Sequence, residues 1–134
     1  MPDPARPVRR WTTPAQVAGD AAEDRASTYL MELGWQILAR NVHVGRFEID
    51  IVAIDPGPPR QLVVSEVRWR SRRDFGLAEE TVDHRKRSRI RRATYALLQL
   101  GRLPDRSELP RLPLRFDLIV LEPAGRLRHH RHAL

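Results

Sequence analysis

The sequence predicts one α/β domain, in which helices flank a mixed β-sheet. Three observations indicate this fold class. The chain has 134 residues, enough for one hydrophobic core. Apolar residues recur at helical spacing in two segments. Apolar runs of strand length, bounded by glycine- and proline-rich turns, lie between and after these segments. The predicted order of elements is helix, three strands, helix and strand.

Two helices are predicted, over about residues 16–33 and 78–100. Gly34 ends the first helix, whose apolar stripe consists of Ala18, Ala22, Ala26, Tyr29, Leu30 and Leu33. The inward face of the second helix has residues spaced by three and four, namely Val82, Lys86, Ile90, Ala93 and Leu97. The chain has 24 basic residues, and Lys86 is the one lysine among them.

Four strands are predicted, over residues 35–39, 44–54, 62–70 and 114–121. Gly45 marks a bend near the start of the second strand. Residues 55–60 form a turn by composition, and the proline-rich segment 101–113 is a loop. The domain therefore spans residues 16–125, between a disordered basic arm at 1–15 and a basic, histidine-rich tail at 126–134.

Acidic residues lie on the second and third strands. Successive side chains alternate between the faces of a strand, so Glu48 and Asp50 share one face of theirs, and Glu66 and Arg68 share one face of theirs. If the strands pair antiparallel about a centre near Pro58, Asp50 lies opposite Glu66. Opposed carboxylates about 5 Å apart at Cβ repel unless a cation lies between them. A divalent hard cation is the simplest occupant.

Composition narrows the functional classes. The chain has no cysteine, which excludes disulfides and thiolate metal sites and fits a cytoplasmic setting. No apolar run is long enough to span a membrane. The net charge of +7 favours an anionic partner, nucleic acid before a membrane surface.

Short motifs then follow one another along almost the whole chain. They are Glu23, Arg40-Asn41, Phe47-Glu48-Ile49-Asp50-Ile51-Val52-Ala53, Val63-Val64-Ser65-Glu66-Val67-Arg68-Trp69-Arg70, Asp74-Phe75-Gly76, Lys86 and Arg115-Phe116-Asp117-Leu118-Ile119. Their order resembles the αβββαβ core of restriction-endonuclease-like (PD-(D/E)XK) nucleases. More narrowly, it resembles the uncharacterised bacterial YraN family, which is itself similar to archaeal Holliday-junction resolvases.

This resemblance implies a nuclease that uses Mg²⁺ or Mn²⁺. Asp50 and Glu66 would hold the metal, and Glu48 or Glu23 would add a direct or water-mediated ligand. Phe47 stands where the family has glycine, and Arg68 stands where such nucleases carry a lysine that positions or deprotonates the attacking water. Arginine can position a water and stabilise negative charge, but it cannot act as a base. Lys86 would then assist.

Basic residues near these carboxylates are expected to contact phosphate groups, namely Arg70, Arg72, Arg73, Arg85, Arg89 and Arg92. The expected partner is nucleic acid, DNA first and branched or structured DNA by resemblance, with a homodimer left open. The alternative is a non-catalytic nucleic-acid-binding protein on the same fold, whose site has decayed at Arg68. A third class is a protein-interaction module with a basic face.

Each candidate also has a plain interpretation. Glu23 would be a helix-surface charge, and Glu48 would pair with Arg68 across the hairpin. Lys86 would extend to the surface. Asp117 is more readily a structural ion pair than a site residue, and the tail histidines His129, His130 and His132 are not expected to form a catalytic site.

Overall fold

The structure, a computed structural model, describes residues 14–70 and 84–134. It confirms the predicted α/β class. Its elements in chain order are α1 (Pro14–Glu32), β1 (Gln36–Val44), β2 (Phe47–Asp55), β3 (Gln61–Trp69), α2 (His84–Leu100), β4 (Leu114–Leu121) and β5 (Leu127–His130). Neither helix in this described part is long and apolar enough to cross a membrane.

The five strands form one mixed sheet in the order β1-β2-β3-β4-β5. The pairs β1–β2, β2–β3 and β4–β5 are antiparallel. Strands β3 and β4 are parallel, and α2 lies between them in the chain, as a parallel connection requires. This arrangement is compatible with the predicted nuclease-like core.

Each helix covers a different face of the sheet. Helix α1 packs Ala22, Ala26 and Leu30 into one core cluster, and α2 packs Ile90, Ala93 and Leu97 into another. Successive residues of a strand point to opposite faces of the sheet. On β2, Ile51 therefore packs in the α1-side cluster and Val52 packs in the α2-side cluster. The predicted inward face of α2 is thus confirmed at these three apolar residues, whereas Val82 lies outside the described residues. Leu33, predicted in the α1 stripe, is instead exposed.

The first hairpin differs from its prediction. Strand β1 continues to Val44, which pairs with Phe47, so the chain reverses at Gly45 and Arg46 rather than bending within one strand. Gly45 has a φ of +59°, a left-handed conformation that glycine adopts without steric cost. The prediction of a single strand over 44–54 was therefore wrong at its start.

The ends of the chain also differ in part. Residues 126–134 were assigned to a tail, yet Leu127–His130 pairs with β4 as an edge strand. Leu134 is buried in the α2-side core. This short strand was not predicted from the sequence, because its many basic residues give it the composition of an exposed segment. The predicted arm at 1–15 lies outside the described residues except for Pro14 and Ala15, which begin α1.

Candidate functional site

The acidic residues meet where the β2–β3 ladder ends. The last pair in that ladder is Ile51 with Ser65, which is the register predicted from a centre at Pro58. Continuing this register by one residue sets Asp50 opposite Glu66. Beyond the ladder, the backbone N–H of Val67 donates to Asp50 Oδ2 at 2.8 Å, so the carboxyl group of Asp50 replaces a strand partner.

Asp50 and Glu66 are joined by a hydrogen bond between their side chains. Burial raises the pKa of Asp50 well above its usual range, and the adjacent charge of Glu66 raises it further. Burial also raises the pKa of Glu66, while the positive charge of Arg68 opposes this effect. Two carboxyl groups share a hydrogen bond when one of them carries a proton. The raised pKa of both groups favours this singly protonated form of the pair.

Glu23 and Glu48 lie beside this pair. One carboxylate oxygen from each of Glu23, Glu48 and Asp50 lies within 4.8 Å of the others. Glu23 lies on α1, where it is only 8% exposed. The plain interpretation of Glu23 as an exposed charge on the helix surface is therefore wrong. Burial raises the pKa of Glu23 to about 7, against the lowering effects of a hydrogen bond from Asn41 and the charge of Arg40.

Two cationic side chains approach Glu66 from its other side. Lys86 Nζ lies 3.2 Å from Glu66 Oε1, and Arg68 Nε lies 3.5 Å from the same oxygen. Lys86 is half-buried, so the side chain of the single lysine is directed to the carboxylates instead of extending into solvent. Arg68 pairs with Glu66, which is two residues before it on the same strand. The plain interpretation had instead paired Arg68 with Glu48 across the hairpin.

The donor set suits a hard divalent cation. Every candidate ligand is a carboxylate oxygen, the type that Mg²⁺, Mn²⁺ and Ca²⁺ prefer. Glu23 Oε2 is buried and has no hydrogen-bond partner among residues 14–70 and 84–134, and its ion pair with Arg40 is long, at 3.9 Å. A buried carboxylate oxygen without a hydrogen bond costs free energy, which a coordinated cation would recover. The residues present therefore fit the predicted metal.

The predicted phosphate-binding arginines fall into three groups. Arg85, Arg89 and Arg92 are exposed on α2, spaced by four and three residues, so they share one face. Arg70 lies 3.9 Å from Glu122, which neutralises part of its charge. Arg72 and Arg73 lie outside the described residues.

A second polar network lies beneath α1, separate from the carboxylates. Arg115 donates to both oxygens of Asp117 and also to Asp55, at 2.8–2.9 Å. His129 Nε2 contacts Asp117 at 2.7 Å, and its Nδ1 contacts the Tyr29 hydroxyl at 3.0 Å. Burial disfavours the charged form of Asp117, yet hydrogen bonds from His129 and Arg115 hold its pKa below the usual value. Asp117 thus forms the structural ion pair that the sequence favoured.

Comparison with known proteins gives a family and several relatives. The pattern described as "Uncharacterised protein family UPF0102" matches residues 22–121. A UPF0102 protein of Desulforamulus reducens is 39% identical over 101 residues, covering 75% of this chain and 77% of the relative. UPF0102 protein STH1475 of Symbiobacterium thermophilum is 42% identical over 112 residues, covering 82% and 87%. UPF0102 protein Bpet0439 of Bordetella petrii is 40% identical over 126 residues, covering 93% and 73%.

A solved structure, that of Pyrococcus furiosus SfsA in complex with Ca²⁺, is a distant match. It is 13% identical, with a TM-score of 0.25, over 87% of this chain and 63% of that chain. A similarity at this level supports no statement about fold or function.

Proposed function

We propose, from the premise that the chain belongs to the uncharacterised protein family UPF0102, that it hydrolyses phosphodiester bonds of nucleic acid with the help of a divalent cation. Membership confirms the predicted YraN-like resemblance. The family name assigns no activity, so the proposal depends on the residues of this chain. Membership of the nuclease superfamily and similarity to resolvases remain predictions, and branched or structured DNA is the favoured substrate because of that predicted similarity.

One observation carries the proposal. The hydrogen-bonded pair of Asp50 and Glu66 has two further carboxylates on one side and two positively charged side chains, those of Arg68 and Lys86, beside Glu66. A purely structural acidic residue is normally paired with a base. Here Asp50 instead faces another carboxylate, and burial raises the pKa of both. Pairs of acids whose pKa values are perturbed in this way are typical of functional sites.

In the proposed mechanism Asp50 and Glu66 would hold the cation, and Glu23 and Glu48 would supply further direct or water-mediated ligands. A divalent cation at this position would lower the pKa of bound water and neutralise the scissile phosphate. The raised pKa of Asp50 favours its protonated form, so cation binding would be coupled to loss of a proton from the pair.

Arg68 and Lys86 divide the work that a single motif lysine would do. The Arg68 guanidinium, next to Glu66, would orient the attacking water or stabilise negative charge as it develops on the phosphate. It stays protonated and cannot accept a proton. Lys86 places an amine 3.2 Å from Glu66, and this amine would take the role of the motif lysine that Arg68 replaces.

Substrate binding would come from the exposed arginines of α2. Arg85, Arg89 and Arg92 share a helix whose first turn carries Lys86, so a backbone held by these residues passes near the carboxylates. The net charge of +7 would attract nucleic acid over a longer range. These contacts are to phosphate groups and carry no sequence preference of their own.

The test is cleavage of linear, single-stranded and four-way-junction DNA, and of RNA, with Mg²⁺ or Mn²⁺ and in chelator. We expect metal-dependent cleavage by the parent and none by Asp50→Asn or Glu66→Gln. Glu32→Gln, which removes an exposed carboxylate of α1, is the matched control and should cleave like the parent. Salt-dependent binding without cleavage of any substrate would favour the non-catalytic alternative.

A further inference from the structure

Asn41 is the residue beside the carboxylates to which no role has been given. Its two strand neighbours, Arg40 and Val42, pair with Ile51 and Ile49 of β2. Asn41 therefore lies directly across from Asp50, as Glu66 does on the other side. Strand β2 thus carries Asp50 between two polar neighbours, one on β1 and one on β3.

The side chain of Asn41 contacts the carboxylate cluster. Its amide group hydrogen-bonds to Glu23, an interaction that lowers the pKa of Glu23. A hydrogen bond with this effect is donated by the amide N–H₂ to the charged carboxylate. Asn41 is 4% exposed, so its contact is shielded from solvent.

The other end of the same amide has no partner. Asn41 Oδ1 is buried and accepts no hydrogen bond from any residue of the described segments. The amide nitrogen and oxygen are bonded to the same carbon, so Oδ1 lies close to the nitrogen that contacts Glu23. Buried acceptors are almost always paired, with protein or with ordered water. A buried acceptor left open next to the contact between Asn41 and Glu23 points to a ligand that carries a donor.

The backbone of Asn41 is also constrained. Its φ is 52°, in the left-handed region that L-residues seldom adopt and that asparagine adopts more readily than most. This conformation interrupts the regular extension of β1. It occurs at the residue of β1 whose amide contacts Glu23.

We infer that Asn41 is a positioning residue of the metal site: its amide N–H₂ orients the Glu23 carboxylate toward the cation, and its Oδ1 accepts a hydrogen bond from a water bound to that cation. This inference rests on the proposed function, because it requires a cation among the carboxylates. In this role Asn41 would not bind the cation itself but would hydrogen-bond to a group that does. Loss of such a contact typically weakens metal affinity by about 10- to 100-fold.

The test is the affinity for Mn²⁺ of the full chain, measured by calorimetry, together with urea unfolding in chelator. Asn41→Gly removes the amide but suits a positive φ, so the backbone is not strained. Arg106→Gly is the matched control, because Arg106 has a φ of 69° and lies exposed in the loop before β4. We expect Asn41→Gly to bind Mn²⁺ roughly 10- to 100-fold more weakly than the parent and Arg106→Gly to bind it equally well.

A double-mutant cycle separates positioning from a general structural role. If Asn41 acts through Glu23, the losses of Mn²⁺ affinity in Asn41→Gly and Glu23→Gln are less than additive when combined. Parent-like Mn²⁺ affinity of Asn41→Gly would overturn the inference alone, and a loss of stability in chelator would then make Asn41 a structural residue. A parent that binds no Mn²⁺ would remove both the inference and the proposed function.

A second readout needs no variant. In a crystal of the parent loaded with Mn²⁺, the inference requires an ordered water that contacts both the ion and Asn41 Oδ1. An ion at the carboxylates with Asn41 Oδ1 turned away from its water shell would overturn the inference and leave the metal site intact.

Discussion

Asp50 and Glu66 share a hydrogen bond across the end of the β2–β3 ladder, and this bond requires a proton. The backbone N–H of Val67 holds Asp50 on one side, and Lys86 holds Glu66 on the other. These contacts oppose movement of the two carboxyl groups away from each other. A proton or a cation between them would reduce their repulsion, so we expect metal binding at the pair to release a proton.

The stability of the protein in chelator should fall as pH rises from about 4.5 to about 7. Burial raises the pKa of Glu23 from 4.5 to about 7, so in this window the folded protein binds more protons than the unfolded chain. Stability then decreases with pH, by roughly 3 kcal/mol from Glu23 alone, and the raised pKa of Asp50 acts in the same direction. Urea unfolding measured between pH 4.5 and 7.5 checks this prediction.

Two controls accompany this measurement. Glu23→Gln should have a shallower dependence of stability on pH, because its side chain does not titrate. Saturating Mn²⁺ should reduce or reverse the dependence of the parent, because the ion takes the place of the bound protons. Stability that rises with pH across this window in chelator would show that these carboxyl groups are not protonated in the folded protein.

Asp50→Asn should fold normally and gain a little stability in chelator at neutral pH. An asparagine oxygen can accept from Val67 N–H, and its N–H₂ can donate to Glu66, so both hydrogen bonds of protonated Asp50 are retained. The variant should bind no Mn²⁺ and cleave no substrate, as measured by calorimetry and gel assay. A variant that does not fold would make Asp50 a structural residue, and one that cleaves like the parent would remove Asp50 from the mechanism.

Replacement of Arg68 should distinguish an adapted residue from a decayed one. Lys86 already supplies an amine beside Glu66, so a second amine from Arg68→Lys is expected to leave the single-turnover cleavage rate unchanged or lower it. Arg68→Ala should reduce that rate by roughly 10² or more, because it removes a group that stabilises charge in the transition state. A faster Arg68→Lys would mean that the arginine has cost activity, and Arg68→Ala at the parent rate would end any catalytic role.

The exposed arginines of α2 should determine how DNA binding depends on salt. If about six phosphates are engaged, affinity should fall on the order of 10³-fold between about 50 and 200 mM salt, because each contact releases counterions. Replacing Arg85, Arg89 and Arg92 together with alanine should flatten this slope. The matched control replaces three exposed arginines elsewhere, Arg102, Arg111 and Arg126, and should leave the slope unchanged. An unchanged slope in the α2 variant would place the binding surface elsewhere, and an equal flattening in both variants would show that binding depends on net charge and not on this face.

Much of the fold could be predicted because its signals are local. Gly34 ends α1 with a φ of +86°, and β4 was predicted with its observed bounds. The turn at residues 55–60 fixed the register that sets Asp50 opposite Glu66, since a hairpin register depends on its turn. Strand β5 could not be predicted, because its four residues have no alternation of apolar and polar side chains and depend on pairing with β4.

The site was predictable only in part. Asp50, Glu66 and Lys86 could be proposed from strand parity, helix spacing and resemblance. The approach of Glu23 depends on where α1 crosses the sheet, which no local pattern gives. Asn41 was visible only as part of a motif, because its contact with Glu23 joins β1 to α1 and its left-handed backbone has no reliable sequence signal.

A divalent cation between Asp50 and Glu66 should be visible in an anomalous difference map of a crystal soaked in Mn²⁺ at neutral pH. We expect a single strong peak in contact with oxygens of both carboxylates, near those of Glu23 and Glu48, and no such peak in a soaked crystal of Asp50→Asn. A well-ordered Asp50 and Glu66 that keep their mutual hydrogen bond, with no peak beside them, would contradict this expectation.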